Sequence, residues 1–262
     1  MTKKNNVKNQ HYVPKMYLKN FCIDGKQDRV FEYNKYSKEI VFRKIDDICA
    51  QKYIYEVINE NKEFILNNKN AIEDVFSVIE KEYDTTLREL FVKLDQFDAG
   101  AFVDFLNYDR ESIISFFYFL FIRNDLSMKV FVNTFNNYFD KQIKKGEGVW
   151  AWMNFMPRFF CEYVSTIENV LIVFLRTSKE KPFITSSIPF YIDSTECFRY
   201  MPLSSRYAMV IKNNDCALRD LNKCEIIDVS EDIDKYNNLL AYTKATSFVS
   251  CNKMWLKRYK RL

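Results

Sequence analysis

The feature that most constrains the fold is a change of hydrophobic period along the chain. From Asn70 onward Ile72, Val75, Phe76, Ile79, Tyr83, Leu87, Leu90 and Leu94 recur at steps of three and four residues, which lays one apolar stripe along a long helix. A second helical stretch, capped by Asn107 or Asp109, carries Ile113, Ile114, Phe116, Phe117, Phe119, Leu120 and Phe121, apolar nearly all round and therefore central. A third helix is expected from about Leu126 to Lys141, and the aromatic segment Val149 to Tyr163 reads as helix interrupted at Pro157. After about Asn169 the apolar residues come instead in short runs, Val170 to Leu175, Pro182 to Thr185, Tyr207 to Ile211 and Glu225 to Val229, which read as strands. A last amphipathic helix, about Asp232 to Ala245, precedes a strand at Ser247 to Ser250.

Ahead of the long helix, Arg29 to Tyr33 and Glu39 to Arg43 flank a polar turn from Asn34 to Lys38, the pattern of a β-hairpin, with Tyr53 to Tyr55 as a third strand beside it. Pro14 suits the first turn of a short helix reaching about Phe21, with Tyr17, Leu18 and Phe21 on its buried side. The expected fold is α+β: an N-terminal β-hairpin unit over 1–60, a central helical bundle over 61–168 and a small mixed or antiparallel C-terminal sheet over 169–262. We expect these to form one domain, because 262 residues lie near the upper limit for a single core. The 24 Phe, 17 Tyr and 3 Trp supply enough apolar area to stabilise it.

Charge and composition remove several function classes. A net charge of +4, from 39 basic and 35 acidic residues, is too balanced for a dedicated nucleic-acid module, so nucleic acid would be met through a local patch. Seven cysteines, an odd number with no Cys-x-x-Cys pair, and an N-terminus without an apolar run after its lysines point to free thiols in the cytoplasm and away from zinc. The longest apolar run, near Phe116 to Ile122, is too short to span a membrane. With only 4 Gly and no glycine-rich phosphate loop, a nucleotide cofactor of the dinucleotide or P-loop kind is excluded, whereas a divalent metal stays open.

The candidate site begins at His11, the only histidine. Beside a helix N-terminus its imidazole would be kept neutral and available as a base, with Tyr12 to orient it. The pair equally suits a structural staple. Glu73 and Glu80, seven residues apart on the long helix, share a face, where a carboxylate acts as base or metal ligand or is simply solvated. Arg123, ending the most apolar helix, either meets that helix's C-terminal dipole or offers its fork to a phosphate. Thr185 and Ser186 end a strand in hydroxyls before Pro189, a place for substrate or an ordinary turn. Lys257 and Arg258, with Tyr259, mix cations and an aromatic in a terminal run that contacts phosphates or remains a solvated tail.

The segment Gln10-His11-Tyr12-Val13-Pro14 followed by Tyr17-Leu18-Lys19-Asn20-Phe21 resembles the opening of a bacterial family catalogued as domain of unknown function four-two-three-eight, whose members begin with a similar QHYVPxFYLRNF stretch. The resemblance continues through Glu73 and Glu80, Arg123, Phe183 to Ser186, Met201-Pro202-Leu203-Ser204, and Asn237-Asn238 leading into Phe248-Val249-Ser250. One departure stands out: where the family pattern is similar to Thr-Ser-Asp-Asn-Pro, this chain has Thr185-Ser186-Ser187-Ile188-Pro189, and Ser187 replaces the carboxylate. The resemblance implies a fold and no assigned reaction.

Two readings of function follow. In the first the chain is a nuclease-like phosphodiesterase or toxin of a bacterial or phage defence system, with His11 as acid or base, Tyr12 orienting it, Glu73 as partner or metal ligand and Arg123 stabilising the phosphorane; it requires these four side chains to converge on one point. In the second it is a non-catalytic binding protein for a protein partner, a nucleic acid or a small signal molecule, a phage-encoded inhibitor among the forms this can take.

Overall fold

A computed structural model describes residues 9–26, 28–56, 70–105, 107–139, 151–152, 170–193, 195, 198–213, 221 and 223–259. The first strand, β1 (Asn9–His11), leads through Pro14, whose φ of −58° and ψ of 140° stand just ahead of the helix, into α1 (Lys15–Leu18) and a 3-10 turn at Lys19–Phe21. A regular hairpin follows, β2 (Arg29–Asn34) and β3 (Glu39–Lys44), its turn closed by the Asn34 side chain accepting the amides of Tyr36 and Ser37. Next comes β4 (Ala50–Lys52).

The helices stand where the apolar period puts them: α2 (Ala71–Asp95), α3 (Asn107–Arg123) and α4 (Asp125–Phe139). Helix α2 buries Ile72, Phe76, Leu87, Leu90 and Leu94 along one stripe and leaves Val75, Val78 and Val92 outside it. In α3 every side chain from Phe116 to Leu120 is buried, as an all-round apolar helix demands. Of the aromatic segment at 149–163 only Ala151 and Trp152 fall within the described residues; both are helical, and the Trp152 indole stacks parallel to Tyr55 at 6.3 Å.

The remaining elements are β5 (Phe102–Asp104), β6 (Val170–Arg176), β7 (Thr185–Ser186), β8 (Tyr191–Asp193), β9 (Phe198–Pro202), β10 (Tyr207–Asn213), β11 (Lys223–Asp228), α5 (Ile233–Ala241), β12 (Ser247–Ser250) and α6 (Lys253–Arg258). A six-stranded sheet runs β5-β11-β6-β10-β9-β8, antiparallel except for the parallel pair β11 and β6. Strand β6 lies inside it and is buried from Val170 to Leu175, which explains its unbroken apolar sequence.

Two expectations need correction. The N-terminal hairpin is not a separate unit: β2 pairs along its free edge with β12, and β12 with β7, giving a four-stranded antiparallel sheet β3-β2-β12-β7 built from both ends of the chain. A lone hairpin is marginal in water, so a distant strand that completes the sheet is strongly favoured. Nor does Tyr53 to Tyr55 add a strand to the hairpin. Tyr53 has a φ of 56°, which breaks the extended chain, and the strand just before it, β4, pairs with β1 instead.

The same joining of chain ends recurs in side chains. The Tyr17 hydroxyl, fully buried, donates to the Pro202 carbonyl at 2.7 Å and lies 2.8 Å from the Thr185 hydroxyl; the Asn20 amide donates to the Leu203 carbonyl at 3.2 Å. Just before β7, Asn237 accepts the Ile184 amide at 3.0 Å and donates to the Pro182 carbonyl at 3.2 Å, with no exposure to solvent. Replacing Asn237→Ala leaves both backbone groups buried and unpaired, so urea unfolding should register a loss of about 2–4 kcal/mol. A loss below about 0.5 kcal/mol would mean that these bonds do not hold the strand.

Candidate functional site

Of the sequence-predicted residues, Glu73, Glu80 and the backbone of His11 meet Arg123; Tyr12, Thr185, Ser186, Lys257 and Arg258 lie elsewhere. Arg123 ends α3 with 1% of its side chain exposed. Its guanidinium meets Glu80 at one nitrogen and Glu73 at another, the latter at 3.7 Å, while Nε donates to the backbone carbonyl of His11 at 2.7 Å. The rings of Phe76, Tyr55 and Phe119 surround it with centroids at 4.6, 5.6 and 5.7 Å. The Tyr55 hydroxyl in turn donates to the Arg123 carbonyl at 2.7 Å. Glu73 and Glu80 reach the same cation because positions seven apart share a helix face.

Two carboxylates beside one guanidinium leave an uneven charge balance. Burial raises the Glu73 pKa, opposed by the nearby Arg123 charge and reinforced by Glu80. The Glu73 Oε2 has no hydrogen-bond partner among the described residues. Burial also works against the Arg123 charge, but Tyr55, Glu80 and Glu73 outweigh it and the guanidinium remains charged.

His11 contributes mainly its backbone to this cluster. Its imidazole, 6% exposed, points to the Ile45 carbonyl at 3.1 Å. A carbonyl only accepts, so Nε2 carries the proton, and a neutral ring then holds its lone pair on Nδ1. The pKa is lowered, by burial first and by the charges of Lys15 and Arg123 after it, against the raising effect of the Ile45 bond. Burial, and not the start of the four-residue α1, is the leading cause of that lowering.

Tyr12 lies at the other side of the turn. Its amide donates to the Cys49 carbonyl at 3.0 Å, and its hydroxyl, raised far above the usual phenol range chiefly by burial, bonds the Cys49 thiol. Tyr12 also lines a cleft of about 360 Å³ with Tyr36, Gln51, Lys129, Ser187 and Lys244. A second depression of about 370 Å³ shares Gln51, Asp125 and Lys129 with it, so the two adjoin across the start of α4. The wall between cleft and core is set by Asn124, which caps the Leu126 amide with its oxygen and donates to the Ser187 carbonyl at 2.8 Å. The Ser187 hydroxyl accepts the amides of Thr246 at 2.8 Å and Ser247 at 3.3 Å.

Of the remaining predicted residues, Thr185, Ser186 and Arg258 make contacts within the fold. Thr185 and Ser186 are fully buried, the first bonded to Tyr17 and the second donating to the Ile188 carbonyl at 2.5 Å, so neither hydroxyl is exposed to solvent. Arg258 pairs with Asp234 at 2.5 Å and lies over the Trp255 ring; Lys257 sits exposed in the last turn of α6. Sequence reasoning missed Tyr55 and the cleft residues Gln51, Lys129 and Lys244. It also missed Gln10, which bonds both Glu56 and the Tyr55 amide at 2.9 Å. Of these only Gln10 had a signal, its place in the opening motif. Among the described residues no three His, Cys, Asp or Glu side chains gather closely enough to hold a metal, and no helix is long and apolar enough to cross a membrane.

The cluster sets two measurable properties. Replacing Arg123→Met removes the cation from two part-buried carboxylates and should cost about 3–5 kcal/mol in urea unfolding. A folded-state pKa for His11 below its ordinary 6.5 means that the unfolded chain takes up the proton first as pH falls. Its contribution is intact above that value and is lost on acidification, with a slope of at most about 1.4 kcal/mol per pH unit. The variant His11→Asn should lose that part of the slope between about pH 7 and 5, read by unfolding at several pH values; an unchanged slope would show that the imidazole is not the titrating group.

Comparison with curated proteins and with solved structures gave no match to this chain. A family described as protein of unknown function, DUF4238, matches residues 9–253, from β1 to the first residue of α6. The match covers nearly the whole chain, and the protein belongs to that family.

Proposed function

We propose that the protein is a non-catalytic binding module that takes a small anionic molecule with a planar ring in the cleft beside Tyr12. The cleft itself carries this reading: Tyr36 and Lys244 stand exposed in its lining, whereas the Arg123 cluster is closed. Tyr36, 82% exposed, and Tyr12 offer faces for stacking. Lys244 is exposed and Lys129 is tied to Asp125 on its own helix, so two cations stand against one carboxylate. Small signal molecules of the nucleotide class combine a ring with phosphate and match such a lining. The described cysteines Cys22, Cys49, Cys224 and Cys251 are unpaired, in keeping with a cytoplasmic setting.

The nuclease-like reading, with a role in defence or toxicity, retains one favourable observation: the neutral His11 ring with its lone pair on Nδ1. Against it, Arg123 would have to leave Glu80, Glu73 and the His11 carbonyl to reach a phosphate. Thermal unfolding with nucleoside mono-, di- and triphosphates, and inorganic phosphate as the anion-only control, separates the two. A ligand present at about one hundred times its Kd stabilises the protein by about 2.7 kcal/mol, and Lys244→Glu should remove that gain while leaving the ligand-free melting temperature unchanged. No stabilisation by any nucleotide, or a gain unaffected by Lys244→Glu, overturns the binding reading. Cleavage of labelled RNA or DNA that disappears in a stably folded His11→Asn variant would establish the nuclease instead.

A further inference from the structure

Strand β3 is the edge of the four-stranded sheet, and five of its six residues, Glu39 and Val41 to Lys44, are exposed. Its pairing with β2 is unbroken from Arg29 opposite Lys44 to Asn34 opposite Glu39, and it contains no proline. Among the described residues it therefore lacks the bulge, proline or covering segment that commonly blunts a sheet edge, and of such devices it carries only charged side chains. Its exposed apolar residues, Val41 at 36% and Phe42 at 39%, lie mid-strand.

The order of residues along β3 identifies what fits there. Glu39, Val41 and Arg43 point to one face of the sheet, and Ile40, Phe42 and Lys44 to the other. A two-fold axis normal to the sheet joins two copies antiparallel and keeps each face continuous, so only registers that oppose residues of the same face are allowed. With the axis at Val41, Glu39 of one copy faces Arg43 of the other at both ends, Ile40 faces Phe42 twice, and Val41 faces itself. Placing the axis at Phe42 sets Val41 against Arg43 and Ile40 against Lys44; placing it at Ile40 sets Glu39 against Val41. Only the Val41 axis pairs opposite charges and apolar neighbours together. Arg43 already lies 3.4 Å from Glu32 on β2, so Glu39 of the second copy would extend an alternating row of charge across the junction. At the outer end Lys38 has a φ of 56° and turns the chain out of the strand, which keeps it from standing squarely against Lys44.

We propose that β3 is a self-complementary docking edge through which two copies of this chain form an antiparallel dimer centred on Val41, joining their four-stranded sheets into one of eight strands. This proposal is independent of what binds in the cleft.

Sedimentation equilibrium of the full chain tests it. The wild type should show a doubled mass. Glu39→Arg sets Arg against Arg at both ends, and Arg43→Glu sets Glu against Glu, so each variant alone should dissociate at least about tenfold more readily. Mixing the two should restore the dimer, because each junction then regains one Arg and one Glu. If Arg43→Glu unfolds for want of a partner to Glu32, Val41→Lys decides alone: it leaves the Glu32 pair intact and faces two lysines across the axis. A wild type that stays monomeric to a concentration on the order of 100 µM overturns the proposal. So does a dimer that persists in both Glu39→Arg and Val41→Lys.

Discussion

The buried guanidinium of Arg123 is the interaction on which the surrounding structure depends. It holds β1 by the His11 carbonyl and α2 by Glu73 and Glu80, and its own carbonyl holds Tyr55. Three aromatic rings exclude water from it. A charge so placed is tolerated only while every partner is in position, because an unpaired buried ion costs several kcal/mol. The arrangement specifies one way of bringing α2, α3 and the N-terminal strand together. It also explains why this cation is a poor receptor for a phosphate: its donors are already engaged, and a ligand would have to displace two carboxylates from the interior.

Around this centre the opening motif acts largely as a fastening. Gln10 anchors Glu56 and Tyr55, the His11 ring takes the Ile45 carbonyl, Tyr17 reaches the Pro202 carbonyl, and Asn20 reaches that of Leu203. Each bond spans a long stretch of sequence, from 34 to 185 residues. The N-terminal segment thus satisfies buried backbone groups of the C-terminal half, while β2 completes its sheet with β12. Tyr12 alone among the motif's polar side chains turns toward the cleft, since it follows the last residue of β1 where the strand ends.

Ser187 links fastening and surface. Its hydroxyl receives two backbone amides from the chain entering β12, and its carbonyl is held by Asn124. A serine oxygen fills this seat as a neutral acceptor.

The helices α2, α3 and α4 and the strands β6, β10, β11 and β12 were legible from sequence because burial of one face imposes its period on the residues, and that period survives without knowledge of neighbours. His11, Glu73 and Arg123 also stood out one by one as chemically distinctive residues, but nothing local said that they would meet. Tertiary structure alone decided that β12 completes the hairpin's sheet, that Tyr53 breaks the strand before it, and that Thr185 and Ser186 face inward. It alone brought Tyr12, Gln51, Lys129 and Lys244 around one cleft. The reason is physical: pairing partners and ion-pair geometry are relations between segments far apart in the chain, and no local pattern records which buried polar group will satisfy which.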